Sequence, residues 1–477
     1  MKSNSGIEKI LYTIAIIVSC AMSLWTMPIA RAIPIFVVLA ATYTIASFIY
    51  RKTSFYTTTG QWALCIGFVM MTIFATLNIQ QSTIHLGSID NPFFIHDAHT
   101  FYHLSCDISN NTVDEYSPIT PYWGYPLFLA LYRLLGINDI AYPIVFNIFL
   151  LLCTLILVGR CTYTTLDNKY PKTANIAGYA MLLTAMIPGV MATGTTLAKE
   201  PFVITSMLLC IVSLQAIKLH QRTWRHAVLF IIGLMTLSLC RTTYIYILCI
   251  FAMAIMCHRF SRNDIVSSVA ILVILLLFTQ IGTQCSWWGN GQYVADYIRQ
   301  DGFPLIFYGA SQQPMQQIFD GYNSYPIWQQ LLFLPITTTI QFFIPFPFET
   351  AQPEFGQPIS TTYHRMSYMW YIVALPIIYY YIFIWWRKKS STALSLIATA
   401  SLIAYCIPAF ITAGSVSRYA FCFAPMLAIM GSYTIHLLCF DNAQRKRFFI
   451  FATIYIVLLG IGLYIGAHPH LIIGALT

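Results

Sequence analysis

Residues 139–159 read Asp139-Ile140-Ala141-Tyr142-Pro143-Ile144-Val145-Phe146-Asn147-Ile148-Phe149-Leu150-Leu151-Leu152-Cys153-Thr154-Leu155-Ile156-Leu157-Val158-Gly159, with a single charge at the edge. A helix needs about 20 predominantly apolar residues to cross the hydrocarbon of a bilayer, and this run has that length. Comparable runs recur from end to end: 9–27, 32–50, 61–79, 173–192, 200–218, 226–240, 242–258, 264–282, 366–386, 391–411, 418–438 and 447–466. Together they predict an all-α, polytopic membrane protein with about thirteen transmembrane helices. Composition agrees. Of the 477 residues 58% are hydrophobic and 9% charged, and the mean hydropathy is +0.68. Soluble domains carry about 25% charged residues, so a water-soluble globule of this size could not hide so much apolar surface.

Two polar stretches interrupt the pattern, about 80–121 and 283–330. A short apolar run, 331–345, ends in Pro345-Phe346-Pro347 and reads as an interfacial or re-entrant piece. Basic residues set the orientation. Eighteen of the 25 Lys and Arg fall on one side of the topology, among them Lys2, Arg51, Arg160, Lys218, Arg259, Lys388 and Arg445. That side is expected to be the cytoplasm and to hold the N-terminus, with both polar stretches facing outward. Twelve of the 16 acids fall on the outer side. The net charge of +9 therefore reflects topology and gives no argument for nucleic-acid binding. Residues 10–24 followed by Ala30-Arg31-Ala32 mimic a secretory signal, but Glu8 and the length of the apolar stretch argue for a retained helix.

The 13 cysteines lie mostly inside expected helices, as small hydrophobes. Cys106 and Cys285 sit in outer loops, where a disulfide and two free thiols are both open. The chain has no CxxC pattern, P-loop or GxGxxG, which leaves nucleotide-hydrolysing transport without support.

Charges beside membrane helices are costly and mark functional positions. Three stand at helix ends within apolar sequence at the outer boundary. Lys199 precedes Glu200 in Thr195-Thr196-Leu197-Ala198-Lys199-Glu200-Pro201. Arg241 lies in the turn Leu239-Cys240-Arg241-Thr242-Thr243-Tyr244, and Arg418 in Gly414-Ser415-Val416-Ser417-Arg418-Tyr419. Such a group suits a lipid phosphate or pyrophosphate; snorkelling toward headgroups is the plainer alternative.

The first outer loop reads Phe93-Phe94-Ile95-His96-Asp97-Ala98-His99-Thr100-Phe101-Tyr102-His103-Leu104. The spacing of Ala98, Phe101 and Leu104 predicts a short interfacial helix over 98–106, with Asp97 at its N-cap. A carboxylate there can be a cap, a general base toward an acceptor, or both. His96, His99 and His103 raise a divalent-metal reading that lacks a convincing third ligand, so no metal site is assigned. The prolines and Gly124 in 117–127 launch an apolar helix, 126–135, that re-enters the membrane. Trp287-Trp288-Gly289-Asn290 and its neighbours suit sugar rings or an aromatic belt equally.

These motifs resemble the GT-C glycosyltransferases, including protein O-mannosyltransferases and lipid A aminoarabinose transferases. The likeness rests on Asp97 with Tyr102, on Trp123-Gly124-Tyr125-Pro126-Leu127-Phe128, and on Ile187-Pro188 with Leu197-Ala198-Lys199-Glu200-Pro201. It extends to Arg241 in a short outer turn and to Arg418-Tyr419 with Phe423-Ala424-Pro425-Met426. The chain has one Asp97 where many members carry an acidic pair, and Lys199 where a small residue is commoner. The resemblance implies N-terminal membrane helices over 1–60 and a GT-C-like catalytic core over 61–282. An outer loop, 283–365, and C-terminal membrane helices, 366–477, would follow. It further implies transfer of a sugar from a polyprenyl-phosphate carrier to a glycan, lipid or protein acceptor at the extracytoplasmic face of a bacterial inner membrane. Asp97 would be the general base and Glu200 an acceptor orienter or a partner for Lys199. Lys199, Arg241 and Arg418 would hold the lipid phosphate, with Tyr102 and Tyr125 near acceptor or sugar. Two alternatives stay open. One is a polymerase or ligase of undecaprenyl-linked oligosaccharides, and the other a transporter or flippase, although no internal repeat supports the latter.

Overall fold

A computed structural model describes residues 5–84, 96–112, 124–166, 172–187, 190, 194–219, 221, 223–241, 243–256, 273, 275, 370–386, 392–412 and 422–467. Every described element is helical. In chain order they are α1 (Ser5–Thr26), α2 (Ile29–Arg51), α3 (Thr58–Ile84), α4 (His96–Asn110), α5 (Gly124–Leu134), α6 (Ala141–Leu166) and α7 (Thr173–Ala185). Then come α8 (Glu200–Lys218), α9 (Thr223–Arg241) and α10 (Thr243–Met256). A single π turn (Trp370–Ala374) leads into α11 (Leu375–Trp386), followed by α12 (Thr392–Thr412), α13 (Ala424–Phe440) and α14 (Asn442–Ala467).

Six of the described helices are long and apolar enough to cross a membrane: Gly6–Thr26, Ile29–Arg51, Thr58–Gln80, Ala141–Leu166, Glu200–Lys218 and Thr223–Arg241. Shorter apolar helices cover Tyr244–Met256, Ile372–Trp385, Ala393–Ala404 and Ala424–Phe440. Buried polar backbone in hydrocarbon must be paired within its own segment, which is why such sequence folds as helix. The run at 331–345 and most of 264–282 lie outside the described residues.

Several element ends differ from the sequence pattern, three of them at residues whose contacts mark the difference. Within the run at 173–192, α7 ends at Ala185, where Met186 N–H donates to Leu183 O and Ile187 N–H to Thr184 O, each at 3.1 Å. Pro188 follows at once, and a proline disfavours helix in the residues before it. At the other end of the chain α14 starts earlier than the apolar run, because Asp441 caps it. The Ala443 and Gln444 amides donate to Asp441 Oδ1 at 2.9 and 3.1 Å. Finally, α4 begins at His96 and not after Asp97. Asp97 therefore stands inside the first turn, which corrects its assignment as N-cap. An acid is favoured in either register, since the first turn carries the positive end of the helix dipole. Two of the three residues expected on one face, Phe101 and Leu104, are buried.

The packing is a bundle centred on α6, α7, α8 and α13. α8 lies between α6 and α9, α3 packs on α6 and α7, and α13 packs on α7 and α11. α1 covers α3 and α2, and α4 and α5 pair with each other. Helices in lipid gain little from apolar burial against one another and approach through small residues. Gly233 illustrates this on α9: a Cβ there would meet Ser206 O on α8 at 3.1 Å and Cys210 Sγ at 2.8 Å. The outer faces of α1, α2, α9 and α14 stay apolar and exposed, for example at Trp25, Val37, Ile231 and Leu458. Water would not tolerate that belt; acyl chains would.

Polar contacts gather at the two ends of the bundle. One end holds Arg31, whose guanidinium grips Asp139 with two bonds of 2.6 Å, together with Asn78, Asn147, Lys199 and Arg241. The other holds Arg51 with Glu8 at 3.1 Å and Arg160 with Gln221 at 2.8 Å. There Lys218 also donates to Met256 O at 3.3 Å.

Candidate functional site

At the first of these ends, residues 195–199 form a non-helical strap that leads into α8. Backbone without helical bonding needs other partners at this depth, and two amides supply them. Asn78 of α3 donates through Nδ2 to Thr195 O at 2.9 Å and Thr195 Oγ1 at 3.1 Å. Asn147 of α6 donates to Thr196 O at 2.9 Å and to Ala198 O at 3.2 Å. The strap delivers Lys199 to the N-cap position of α8 and Glu200 to its first turn, with Pro201 next, where a missing N–H costs nothing.

Lys199 is 2% exposed and Glu200 3%. The Lys199 ammonium lies 4.9 Å from the centre of the Phe101 ring on α4, a cation–π contact. An acid suits the start of a helix, but a lysine there opposes the helix dipole. Burying it at that place is costly, and the cost falls when an anion joins it. Glu200 makes no ion pair among the described residues, and no hydrogen-bond partner reaches its Oε1.

Arg241 ends α9, 7% exposed, with its guanidinium carbon 5.0 Å from the Tyr244 ring centre. Tyr244 in turn lies 5.0 Å from Phe423 at the start of α13. The end of α9 adjoins the start of α8: the charges of both Lys199 and Glu200 act on Cys240. Gly124, which opens α5, allows that end to be approached closely. A Cβ on it would sit 2.8 Å from Leu239 O and 2.9 Å from Leu239 C.

The two short helices complete this end. Tyr125 of α5 is fully buried, and its hydroxyl accepts from Asn147 Nδ2 at 3.2 Å. Its ring meets Phe101 edge-on at 5.6 Å and Phe202 of α8 at 5.6 Å. Tyr102 is half-buried under the Arg133 guanidinium, 5.4 Å from the ring centre, and Arg133 Nε donates to Ser109 Oγ at 3.3 Å. Cys106, on the same helix, is a free thiol whose pKa burial pushes up; Asp107 adds to the rise and Arg133 opposes it. Asp97 lies one turn before Phe101 in α4.

The structure thus brings together Lys199, Glu200, Arg241 and Tyr125, with the backbone of the Asp97 turn attached through Phe101. Arg418 lies outside the described residues, as do Cys285 and the aromatic stretch at 287–290. Among the described residues no three His, Cys, Asp or Glu side chains gather as a metal site. Asn78 and Asn147 escaped the sequence reading. The signal was present, since each is a side-chain amide inside an apolar run and polar groups there are seldom idle. Chemically, two buried cations at a helix N-terminus match the charge and acceptors of a phosphate. Two buried acceptors, Glu200 Oε1 and Asn147 Oδ1, have no donor among the described residues and suit hydroxyl groups. The chain matches no family model and no curated protein.

Proposed function

We propose that this protein is a membrane glycosyltransferase that moves a sugar from a polyprenyl-phosphate carrier to an acceptor at the extracytoplasmic face. The observation that carries the reading is the joint burial of Lys199, Arg241 and Glu200 where α8 begins and α9 ends. Charges at such depth are expensive to retain, and a phosphate arriving on a lipid would repay them. The apolar belt supports a lipid tail lying along the bundle. In this reading about thirteen helices span the bilayer, and the bundle end holding Lys199 faces outward.

The reaction is a single displacement. An acceptor hydroxyl gives its proton to the Asp97 carboxylate while its oxygen bonds to the anomeric carbon. The bond from that carbon to the phosphate oxygen breaks, and its electron pair leaves with the polyprenyl phosphate. Configuration inverts. Lys199 and Arg241 stabilise the charge that grows on the departing phosphate, with Arg418 as a third cation. Glu200 Oε1 orients the acceptor by taking a hydrogen bond from it. Tyr102 stands at the acceptor or sugar edge, and Tyr125 acts from beneath as a support.

Transfer by the purified protein from pooled polyprenyl-phosphate sugars, compared with Asp97→Asn and Arg241→Ala, tests this. Loss of about 100-fold or more in both folded variants is expected for a base and for an oxyanion stabiliser. Undiminished transfer by Asp97→Asn would remove the base.

A further inference from the structure

Resting on the lipid-phosphate reading above, we infer that Asn147 is a positioning residue that sets Lys199 in register with the helix carrying Asp97. Its Nδ2 reaches three acceptors on two separate elements: Thr196 O and Ala198 O in the strap, and the Tyr125 hydroxyl on α5. The strap contacts fix the backbone immediately before Lys199. The Tyr125 contact fixes the ring that braces Phe101, and Phe101 is the platform under the Lys199 ammonium. One buried amide therefore holds Lys199 from both sides, by its backbone and by the aromatic surface below its charge. Phe101 belongs to α4, one turn from Asp97, so the same joint ties the phosphate lysine to the base-bearing helix.

Attachment of α8 to α6 does not need this amide. Thr154 and Thr205 join the same two helices through their hydroxyls at 3.0 Å, and Thr205 also donates to Leu150 O at 3.0 Å. What Asn147 adds is the placement of the strap and of Tyr125. Asn78 supports the strap from α3 through Thr195, and among the described residues it makes no hydrogen bond to Tyr125 or Ala198.

The test is equilibrium binding of undecaprenyl monophosphate to the full-length protein in lipid nanodiscs, with melting temperature recorded for every variant. Lys199→Met and Asn147→Leu are each expected to weaken binding tenfold or more, and Asn147→Ser, which keeps one donor, to fall between. Thr154→Val, which removes an ordinary tie between the same helices, should melt lower yet bind as wild type. The pair Asn147→Leu with Lys199→Met should bind no worse than Lys199→Met alone, since positioning works only through the lysine. Wild-type affinity in folded Asn147→Leu, with Lys199→Met impaired, would overturn the inference and leave the phosphate reading standing. If Asn147→Leu does not fold, wild-type affinity in Asn147→Ser overturns it instead. Wild-type affinity in Lys199→Met would sink the phosphate reading and the inference together.

Discussion

A charge or amide inside an apolar run is worth reading one residue at a time, because the bilayer penalises each of them separately. Lys199 and Arg241 were legible on that ground: each interrupts apolar sequence at a helix end. The partners of Asn78 and Asn147 were not, because they lie 117 and as many as 51 positions away and nothing local names them. Arg31 shows the same limit. In sequence it is part of the signal-like Ala30-Arg31-Ala32, yet it holds α2 against the start of α6 through Asp139. That carboxylate does two things, since its Oδ1 also accepts the Ala141 amide at 2.9 Å. Asp139→Ala should therefore destabilise more than Arg31→Ala, by about 1 kcal/mol for the lost cap. Denaturation of the two variants in the same detergent measures the difference. Cys106 gives a second expectation. Burial raises its pKa, which leaves less thiolate near neutral pH, so maleimide should label it more slowly than a free model thiol. Raising the pH should speed labelling beyond the point where the model thiol levels off.

At the scale of elements, α1, α2, α3, α6, α8 and α9 follow from apolar runs of spanning length. The ends do not, for reasons visible in single residues. The turn at Met186 and Ile187 closes the seventh helix, and Asp441 starts the last one early. The two-residue shift at the start of α4 moves Asp97 from cap to first turn, because acids are at home in both places. The Gly124 contact was half legible. Its neighbours marked it as the launch of a helix, whereas its place in the fold comes from the Leu239 backbone packed against it. Gly124→Ala should push α5 away from the end of α9 at a cost of about 1–3 kcal/mol. Because Arg241 lies two residues past Leu239, binding of a lipid phosphate should weaken along with stability. A calorimetric melt paired with a binding isotherm checks both.

Over the whole molecule, the apolar belt around α1, α2, α9 and α14 and the polar contacts at both ends fit an integral membrane protein. The uneven share of Lys and Arg between those ends adds a direction. The bundle end with Arg51, Arg160 and Lys218 should face the cytoplasm, and the end with Lys199 and Arg241 the outside. In intact cells an impermeant maleimide should label Thr112→Cys, beyond α4, above the parent background. Thr223→Cys, at the start of α9, should label only after permeabilisation. The reverse pattern would put the site on the wrong side for its proposed reaction. The membrane class was legible because composition and run length carry it. The site was legible only in its charges, since their assembly depends on helix packing that periodicity does not encode.

The most direct measurement identifies the lipid product released when purified protein in nanodiscs is given mixed polyprenyl-linked sugar donors and acceptor extract. The account predicts free polyprenyl monophosphate, with the transferred sugar inverted at its anomeric carbon. Release of polyprenyl diphosphate with a transferred oligosaccharide would contradict single-sugar transfer and point to polymerisation or ligation. No lipid product from well-folded protein would contradict glycosyl transfer itself.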